Sequence, residues 1–366
     1  MKFINLDRQS KKLLKINIKS IKKILINSQF IMGKEVFNLE NKLKKFTGSK
    51  YCITTSSGTD ALLIALMSLN LKKGSEVITS PFTYVSTVDT ILRLNCKPVF
   101  VDIDKDTCNI SVEEIKKNIT NKTSAIVPVS LFGQTADLKK INQIASSHNI
   151  PVIEDAAQSF GSEHYNRKSC NLSTIGCTSF FPTKALGCYG DGGALFTNNK
   201  RLAEKCRMIR NHGQKKKYFY ETLGINGRLD NIQAAVLLNK LKNFPIEIKK
   251  RKLKAKYYLN KLNLKEIKFL KTFEYNSNVH TLFNIKVKKR DKLIKFLKTK
   301  NIPTMIYYPK PLNLYKPFKK FTKKNVKLNN ANKVSREILS IPFSPYILKW
   351  EQDNVIKHIK LFYEKK

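Results

Sequence analysis

The sequence SFFPTKALGCYGDGGALFT, residues 179–197, separates this chain from the dinucleotide-binding kind of α/β fold. A β-rich run gives way to a glycine-rich turn, and a second β-rich run follows at once, with no helix between them. This order excludes the GxGxxG dinucleotide-binding fingerprint, whose glycines lead into a helix. Lys184 lies in the turn, flanked by Phe, Pro, Ala and Leu. A partly desolvated Lys has a lowered pKa and becomes a nucleophile able to form an imine, although a surface Lys is the alternative.

Further β-rich runs precede this stretch and alternate with longer helical segments. The strands predicted over the first 200 residues are YCITTS (51–56), SEVITS (75–80), KPVFVDI (97–103), SAIVPVS (124–130), IPVIED (150–155), CTSFF (177–181) and GALFT (193–197). In the helical segment 60–71, Leu62, Leu66 and Leu69 fall on one face. The alternation predicts an α/β fold with a mostly parallel central sheet, in which ligands bind beyond the carboxyl ends of the strands.

The chain length of 366 residues suits one large domain and one smaller one. Beyond about residue 245 the strand signal thins, and Lys-rich helical patterns dominate. We therefore expect a large domain over residues 1–245, which includes an N-terminal helical segment, and a small C-terminal domain over residues 246–366.

The charge of the chain is strongly positive, with 69 Lys and Arg against 27 Asp and Glu, a net charge of +42. Nearly all of the basic residues are Lys, and they are spread evenly, whereas readers of nucleic acid favour Arg. This pattern favours compositional drift and predicts no nucleic-acid partner, although the field would help to capture a doubly charged nucleotide ligand.

The hydropathy pattern predicts no membrane partner. No apolar run approaches the roughly 18 residues of a membrane span, and the first residues lack the apolar core of a signal peptide. We therefore expect a cytoplasmic protein. Seven scattered cysteines without a CxxC pair predict small buried side chains in a reducing compartment.

Two further segments carry polar groups at predicted strand ends. In VIEDAAQSFG, residues 152–161, the strand ends at Asp155, whose carboxylate could hold a pyridinium N–H, and Gln158 could reach the phenolic oxygen of the same ring. A helix cap at Asp155 is the alternative. In TTSSGTDALLIAL, residues 54–66, Gly58 and Thr59 begin a helix whose free N–H groups suit a phosphate, although SSGT is also an ordinary helix cap.

The three segments together indicate a ligand more specifically than any one of them does. A phosphate cradle with Ser179 as a further hydroxyl donor, a carboxylate and a Lys follow one another along the chain, each near a strand end. Pyridoxal 5'-phosphate needs these three elements. The sequence therefore predicts a pyridoxal phosphate site.

Motifs over nearly the whole chain resemble the DegT/DnrJ/EryC1/StrS family of sugar aminotransferases. They are SSGTDAL, SPFTYVST, VIEDAAQSFG, SFFPTKALGCYGDGGA, RNHGQ and GRLDNIQAA. The resemblance implies a type I pyridoxal-phosphate-dependent aminotransferase fold, acting as a homodimer with active sites at the subunit interface. It implies that Lys184 binds the cofactor covalently, Asp155 pairs with the pyridine nitrogen and Gln158 with the phenolic oxygen.

Other site residues also follow from the resemblance. Gly58, Thr59 and Ser179 would hold the phosphate, with Asn226 contributed by the other subunit. Tyr84 matches the aromatic that stacks on the cofactor ring; without the resemblance, a core aromatic is the simpler interpretation. The resemblance places Arg228, Tyr307 and Tyr308 in the substrate-binding region, where the family often has His at the position of Tyr307. His212 in RNHGQ is interpreted as a solvated or supporting residue.

Within this family, the stretch CNLSTIGCTSFFPTKALGCYGDGGA most resembles the branch that acts on UDP-2-acetamido-2-deoxy-3-oxo-D-glucuronate. The resemblance implies transfer of an amino group from glutamate to C3 of this nucleotide sugar, for bacterial surface polysaccharides such as lipopolysaccharide O-antigen. Amination at C4 of a UDP- or dTDP-keto-sugar is the alternative within the family. A pyridoxal-phosphate-binding regulator and an inactive relative are further alternatives. The related dehydrating branch has His in place of the cofactor-binding Lys, so Lys184 argues against it.

Overall fold

A computed structural model describes residues 1–322 and 326–364. The helices in these ranges are α1 (Leu6–Asn27), α2 (Lys34–Thr47), α3 (Gly58–Ser68), α4 (Ser86–Arg93), α5 (Val112–Asn118), α6 (Leu138–Ser147), α7 (Lys200–Arg210), α8 (Asn231–Lys261), α9 (Arg290–Thr299), α10 (Asn329–Glu337) and α11 (Lys349–Glu364). The strands are β1 (Tyr51–Thr55), β2 (Glu76–Thr79), β3 (Lys97–Phe100), β4 (Thr123–Val127), β5 (Ile153–Asp155), β6 (Glu163–His164), β7 (Arg167–Lys168), β8 (Ile175–Ser179), β9 (Gly193–Thr197), β10 (Gln214–Lys216), β11 (Phe219–Tyr220), β12 (Ile267–Phe269), β13 (Asn276–Ser277), β14 (Phe283–Val287) and β15 (Ile338–Ile341).

The central sheet contains the seven strands predicted from the sequence. Its order is β1–β9–β8–β5 followed by β4–β2–β3, and parallel backbone bridges at Ile126–Val152 and Val129–Asp155 join the two parts. Strand β9 runs antiparallel to both of its neighbours, whereas the pairings β5–β8, β2–β3 and β2–β4 are parallel. The prediction of a mostly parallel α/β sheet is confirmed.

Helices cover both faces of this sheet. Successive residues of a strand point to opposite faces, and in these strands the residues on both faces are apolar. In β4, Ala125 and Val127 pack in a core with α3 and α7, whereas Ile126 packs on the opposite face with α6. Strands that are buried on both faces read as continuous apolar runs, and this is why the sequence pattern located them.

The C-terminal part has a core and a sheet of its own. Strands β12, β14 and β15 form an antiparallel sheet that packs against the second half of α8 and against α9 and α11. The strand signal beyond residue 245 is weak because these strands are short and carry Lys268 and Lys286. Residue 245 is a proline inside the continuous helix α8. The division into domains at this position therefore falls within a helix and stays a prediction.

The N-terminal helix contacts both parts of the chain. Arg8 of α1 forms an ion pair with Glu351 of α11, and Asn17 of α1 donates a hydrogen bond of 3.0 Å to the hydroxyl of Tyr189, in the loop between β8 and β9. All seven cysteines are buried and free, as expected. In the described ranges, no helix combines the length and the apolar character needed to cross a bilayer.

Candidate active site

A cavity of about 410 Å³ opens at the carboxyl ends of β5 and β8. Nine of the residues predicted from the sequence line it, namely Gly58, Thr59, Tyr84, Asp155, Gln158, Ser179, Lys184, Tyr307 and Tyr308. The position agrees with the general rule for parallel sheets, in which loops beyond the carboxyl ends of neighbouring strands meet at one edge.

Asp155 is the last residue of β5 and is almost fully buried. Its Oδ2 accepts a hydrogen bond of 2.8 Å from the Thr87 hydroxyl, and its Oδ1 accepts one of 3.1 Å from the Ala157 N–H. Burial raises the pKa of Asp155, while these two hydrogen bonds and the charge of Lys184 act in the opposite direction. Residues 157–161 form turns and not a helix, so the alternative that Asp155 caps a helix is wrong.

Lys184 lies in the loop between β8 and β9 and faces the same cavity. Burial lowers the pKa of Lys184, and the negative charge of Asp155 opposes this shift. A lowered pKa increases the fraction of neutral amine near neutral pH, and the neutral amine is the nucleophile and the base. The geometry therefore favours a reactive Lys over a solvated surface Lys.

The first turn of α3 leaves donors free at one end of the cavity. Ser57 caps the helix by accepting a hydrogen bond of 3.0 Å from the Asp60 N–H, so the cap predicted for SSGT is present. Within the described part of the chain, the N–H groups of Gly58 and Thr59 have no acceptor. A Cβ at Gly58 would lie 2.7 Å from Ser179 Cβ, so only glycine fits between α3 and β8.

Gln158 is held in place from both sides. Its Oε1 accepts a hydrogen bond of 2.9 Å from the Phe132 N–H, and its Nε2 donates one of 3.1 Å to the Tyr308 hydroxyl. The Phe132 bond fixes the orientation of the amide, because a backbone N–H can only donate. The second N–H of Nε2 is therefore available for a ligand oxygen.

Three tyrosines form part of the cavity wall. Tyr84 is 61% exposed, so the alternative of a core aromatic is wrong. Tyr308 packs edge-on against Phe82, with ring centroids 5.8 Å apart, whereas Tyr307 packs against Phe3. Burial raises the pKa of Tyr307 and of Tyr308, so both hydroxyls stay protonated at neutral pH.

Asn226, Arg228 and His212 lie outside the cavity wall. Asn226 is exposed on the segment before α8, and His212 is exposed in the turn between α7 and β10. Arg228 donates a hydrogen bond of 2.9 Å to Asn211. The structure of a single chain therefore brings together nine of the predicted site residues and does not bring Asn226 and Arg228 to them.

Several polar residues of the site were not identified from the sequence. Ser57, Ser86, Thr183, Asp191 and Thr281 also line the cavity, and Thr87 supports Asp155. Thr87 and Ser86 belong to the motif SPFTYVST, in which only the tyrosine was singled out. The adjacent hydroxyl residues Ser86 and Thr87, at the start of a helix that follows a predicted strand, were the available signal.

The donors present fit pyridoxal 5'-phosphate. Two unpaired backbone N–H groups at a helix N-terminus suit a phosphate group. A buried carboxylate that already accepts two hydrogen bonds suits an aromatic N–H, and a partly desolvated Lys suits an aldehyde. Gly58 and Thr59, Asp155, and Lys184 would provide these three contacts.

A fold of this topology with such a site is that of a pyridoxal-phosphate-dependent aminotransferase. The chain belongs to the DegT/DnrJ/EryC1/StrS aminotransferase family, whose model matches residues 12–360. Enzymes of this family transfer amino groups to nucleotide-linked keto-sugars.

Individual relatives cover nearly the entire chain. The chain is 44% identical to the UDP-2-acetamido-2-deoxy-3-oxo-D-glucuronate aminotransferase of Pseudomonas aeruginosa, over 95% of this chain and 96% of that protein. It is 39% identical to the pleiotropic regulatory protein of Geobacillus stearothermophilus, over 98% of each. The structure of S. venezuelae DesV in complex with a ketimine intermediate superposes with a TM-score of 0.97 at 31% identity, over 100% of this chain and 99% of that one.

Proposed function

We propose that this protein transfers an amino group from glutamate to the 3-keto group of UDP-2-acetamido-2-deoxy-3-oxo-D-glucuronate. The product would be a 3-amino sugar for bacterial surface polysaccharides, made in the cytoplasm. The observation that carries the proposal is the meeting of Lys184 and Asp155 in one cavity beside the free N–H groups of α3. The choice of sugar is supported by the identity of 44% with the P. aeruginosa enzyme.

Asp155 and Lys184 would have different roles in the reaction. Pyridoxal phosphate, when bound, supplies an electron sink for the carbanion at the α-carbon of the donor. Asp155 would keep the ring nitrogen protonated, a charge-assisted hydrogen bond that is worth roughly 1.5–3 kcal/mol. Lys184 would bind the aldehyde carbon and, once released, would take the proton from the α-carbon and deliver it to C4′.

The remaining groups would bind and orient. The N–H groups of Gly58 and Thr59 and the hydroxyl of Ser179 would hold the phosphate, and Gln158 would donate to the phenolic oxygen. Tyr84 would stack on the ring, a contact worth on the order of 1 kcal/mol. Tyr307 and Tyr308 would contact the sugar from the C-terminal part of the chain.

A homodimer with shared sites is part of the proposal. Asn226 is exposed and lies outside the cavity of its own chain, as a residue that serves a second copy would. Near it, the hairpin β10–β11 and the following loop expose Tyr218, Phe219, Tyr220 and Leu223. An apolar surface of this kind marks an interaction site. Asn226 would assist phosphate binding in the other subunit, and Arg228 would contact its substrate.

The experiment that tests the function uses purified enzyme, glutamate and a panel of UDP- and dTDP-keto-sugars, with mass spectrometry and NMR of the products. The proposal predicts conversion of the 3-keto-glucuronate to its 3-amino derivative, with 2-oxoglutarate as co-product. Amination only at C4 would move the protein to the neighbouring branch. The name of the G. stearothermophilus relative favours a regulator as the second candidate, and binding of pyridoxal phosphate without amination of any sugar would support it.

A further inference from the structure

Lys240 on α8 is a buried cation that the proposed mechanism does not use. It is 3% exposed, and its Nζ donates a hydrogen bond of 2.6 Å to the Gly187 carbonyl. The same Nζ lies 4.6 Å from the centroid of the Tyr189 ring, within the range of a cation–π interaction. Both contacts are to the loop of residues 180–192, which joins β8 to β9 and carries Lys184.

This loop, named here the Lys184 loop, folds tightly on itself. The Lys184 N–H donates to the Phe181 carbonyl, and the Cys188 N–H donates to the Phe180 carbonyl. A Cβ at Gly187 would lie 2.6 Å from the carbonyl oxygens of Phe181 and Pro182. Because Gly187 packs directly against the residues that precede Lys184, a displacement of Gly187 would move the backbone around Lys184.

Two helices hold the Lys184 loop from outside. On α8, Gln233 accepts a hydrogen bond of 2.9 Å from the Tyr189 N–H, in addition to the Lys240 contact. On α1, Asn17 donates a hydrogen bond of 3.0 Å to the Tyr189 hydroxyl, and Asn239 donates one to Asn17. Among these residues Lys240 is the charged one. It contacts Gly187, which is nearer to Lys184 in sequence than the Tyr189 contacted by Gln233 and Asn17.

The position of Lys240 is costly for a cation. Burial lowers the pKa of Lys240 to about 8, and the negative charge of Glu247 and the thiol of Cys188 act in the opposite direction. The ammonium contacts a carbonyl oxygen and an aromatic face directly instead of a carboxylate. A neutral apolar side chain at this position would avoid the cost of burying a charge. It could not donate a hydrogen bond to the Gly187 carbonyl, which is what Lys240 does.

We propose that Lys240 is a positioning residue, which fixes the Lys184 loop through the Gly187 carbonyl and thereby places the Lys184 amine in the cavity. The inference rests on the proposed role of Lys184 but not on the identity of the sugar. A displacement of about 1 Å in a reacting group can cost on the order of a hundredfold in rate. Lys240 would thus act on kcat without contacting the cofactor or the substrate.

The test compares Lys240→Met and Lys240→Arg with the wild-type holoenzyme. For Lys240→Met we expect kcat of the glutamate half-reaction to fall about tenfold or more, with KM for glutamate changed by less than about threefold. Hydrogen exchange of peptides from residues 180–192 should become faster, while that of α3 stays unchanged. Lys240→Arg keeps a cationic donor and should recover at least part of the rate.

Two control variants separate positioning from stability. Lys242→Met removes an exposed Lys from the same helix and should change none of these quantities. Tyr258→Phe removes a buried hydrogen bond to the Pro342 carbonyl further along α8, and should lower the melting temperature without affecting the Lys184 loop. If Lys240→Met has the kcat and the loop exchange of the wild type, the proposal is overturned. It is also overturned if Tyr258→Phe, at the same melting temperature, shows the same fall in kcat and the same increase in loop exchange as Lys240→Met.

If Lys240→Met does not fold, the pair Lys240→Arg and Lys240→Gln decides. A rate retained in Lys240→Arg and lowered in Lys240→Gln supports the proposal, and equal rates and loop exchange in the two overturn it. Neither the exchange measurement nor the half-reaction uses a sugar. A wild-type enzyme that aminates no sugar would therefore contradict the proposed function while leaving the role of Lys240 to be decided by loop exchange.

Discussion

The Thr87 hydroxyl donates a hydrogen bond of 2.8 Å to Asp155 Oδ2, across 68 positions of sequence. Thr87 lies in the first turn of α4, and Asp155 ends β5, so the bond joins the motif SPFTYVST to the carboxylate expected to hold the cofactor ring. This donor stabilises the ionised form of Asp155 and orients it.

We predict that Thr87→Val lowers kcat by about tenfold. The substitution keeps the shape of the side chain and removes the donor, and a hydrogen bond to a charged group is worth roughly 1.5–3 kcal/mol. The pKa of Asp155 would then rise further, and the ring nitrogen would be held less firmly in its protonated form. Steady-state kinetics and the absorption spectrum of the bound cofactor measure both effects.

Thr90→Val is the matched control for this change. Thr90 is buried on the same helix, but its hydroxyl donates to the Ser86 and Thr87 carbonyls and does not contact Asp155. Equal kcat values and spectra in the two variants would show that the Thr87 bond has no part in catalysis.

Asp155→Asn should stabilise the cofactor-free protein at neutral pH while it abolishes most of the activity. Burial raises the pKa of Asp155, so the folded state releases this proton at a higher pH than the unfolded state does. The free energy of unfolding therefore falls as the pH rises through the window from the unfolded to the folded pKa. The substitution removes this penalty, and its advantage should shrink as the pH is lowered towards about 4.

Thermal unfolding of the cofactor-free proteins across this pH range measures the effect. Asp89→Asn is a suitable control, because Asp89 is a partly exposed carboxylate on α4 that forms an ion pair with Arg93 at the surface. A melting temperature of Asp155→Asn below that of the wild type at pH 7 would contradict the expectation.

Tyr308→Phe should affect sugar binding more than Tyr307→Phe does. The Tyr308 hydroxyl accepts the hydrogen bond from Gln158, and its ring packs on Phe82, so Phe keeps the ring contact and loses only the polar one. Loss of the proposed neutral hydrogen bond between the Tyr308 hydroxyl and the sugar, worth about 0.5–1.5 kcal/mol, predicts a fall in kcat/KM for the sugar of a few-fold to about tenfold. Gln158 keeps its bond from the Phe132 N–H and can still donate to the cofactor. The glutamate half-reaction should change little. If Tyr307→Phe lowers kcat/KM for the sugar as much as Tyr308→Phe or more, the expectation that Tyr308 is the more important sugar contact is wrong.

Mixing the Lys184→Ala variant with an Asn226→Ala variant, which we expect to be impaired in phosphate binding, tests the shared site. A Lys184→Ala subunit keeps Asn226 for its partner, and an Asn226→Ala subunit keeps Lys184, so a mixed dimer contains one intact site. Random exchange of subunits should restore about a quarter of the wild-type activity. Activity that stays at the level of the separate variants, after mass analysis has shown mixed dimers, would place Asn226 outside the active site of the partner.

Much of the fold was predictable because its information is local. The seven strands of the central sheet are short apolar runs, and residues at their carboxyl ends must meet at one edge of a parallel sheet. The sequence alone therefore predicts that Lys184, Asp155 and Gly58 belong to one site, and all three line the same cavity. The motifs of the family added Tyr84, Tyr307 and Tyr308, which the periodicity alone could not place.

The remaining parts depend on contacts between distant segments. The Gln158–Tyr308 bond joins residues 150 positions apart, and no local pattern predicts it. Lys240 carried no signal, because one buried Lys cannot be distinguished by composition in a chain with so many exposed ones. The strands β12, β14 and β15 were missed because all three are short and because Lys268 and Lys286 interrupt the apolar pattern of β12 and β14. Lys286 is buried, with a hydrogen bond to the Lys105 carbonyl and an ion pair with Asp106.

We expect the Lys184 amine to bind pyridoxal phosphate covalently. Reduction of the holoenzyme with borohydride, followed by proteolysis and mass spectrometry, measures this directly. We predict a pyridoxyl adduct on Lys184 in the peptide that contains residues 179–197, and no adduct in Lys184→Ala. Reduced wild-type protein that carries the adduct on another Lys, or none at all, would contradict the account.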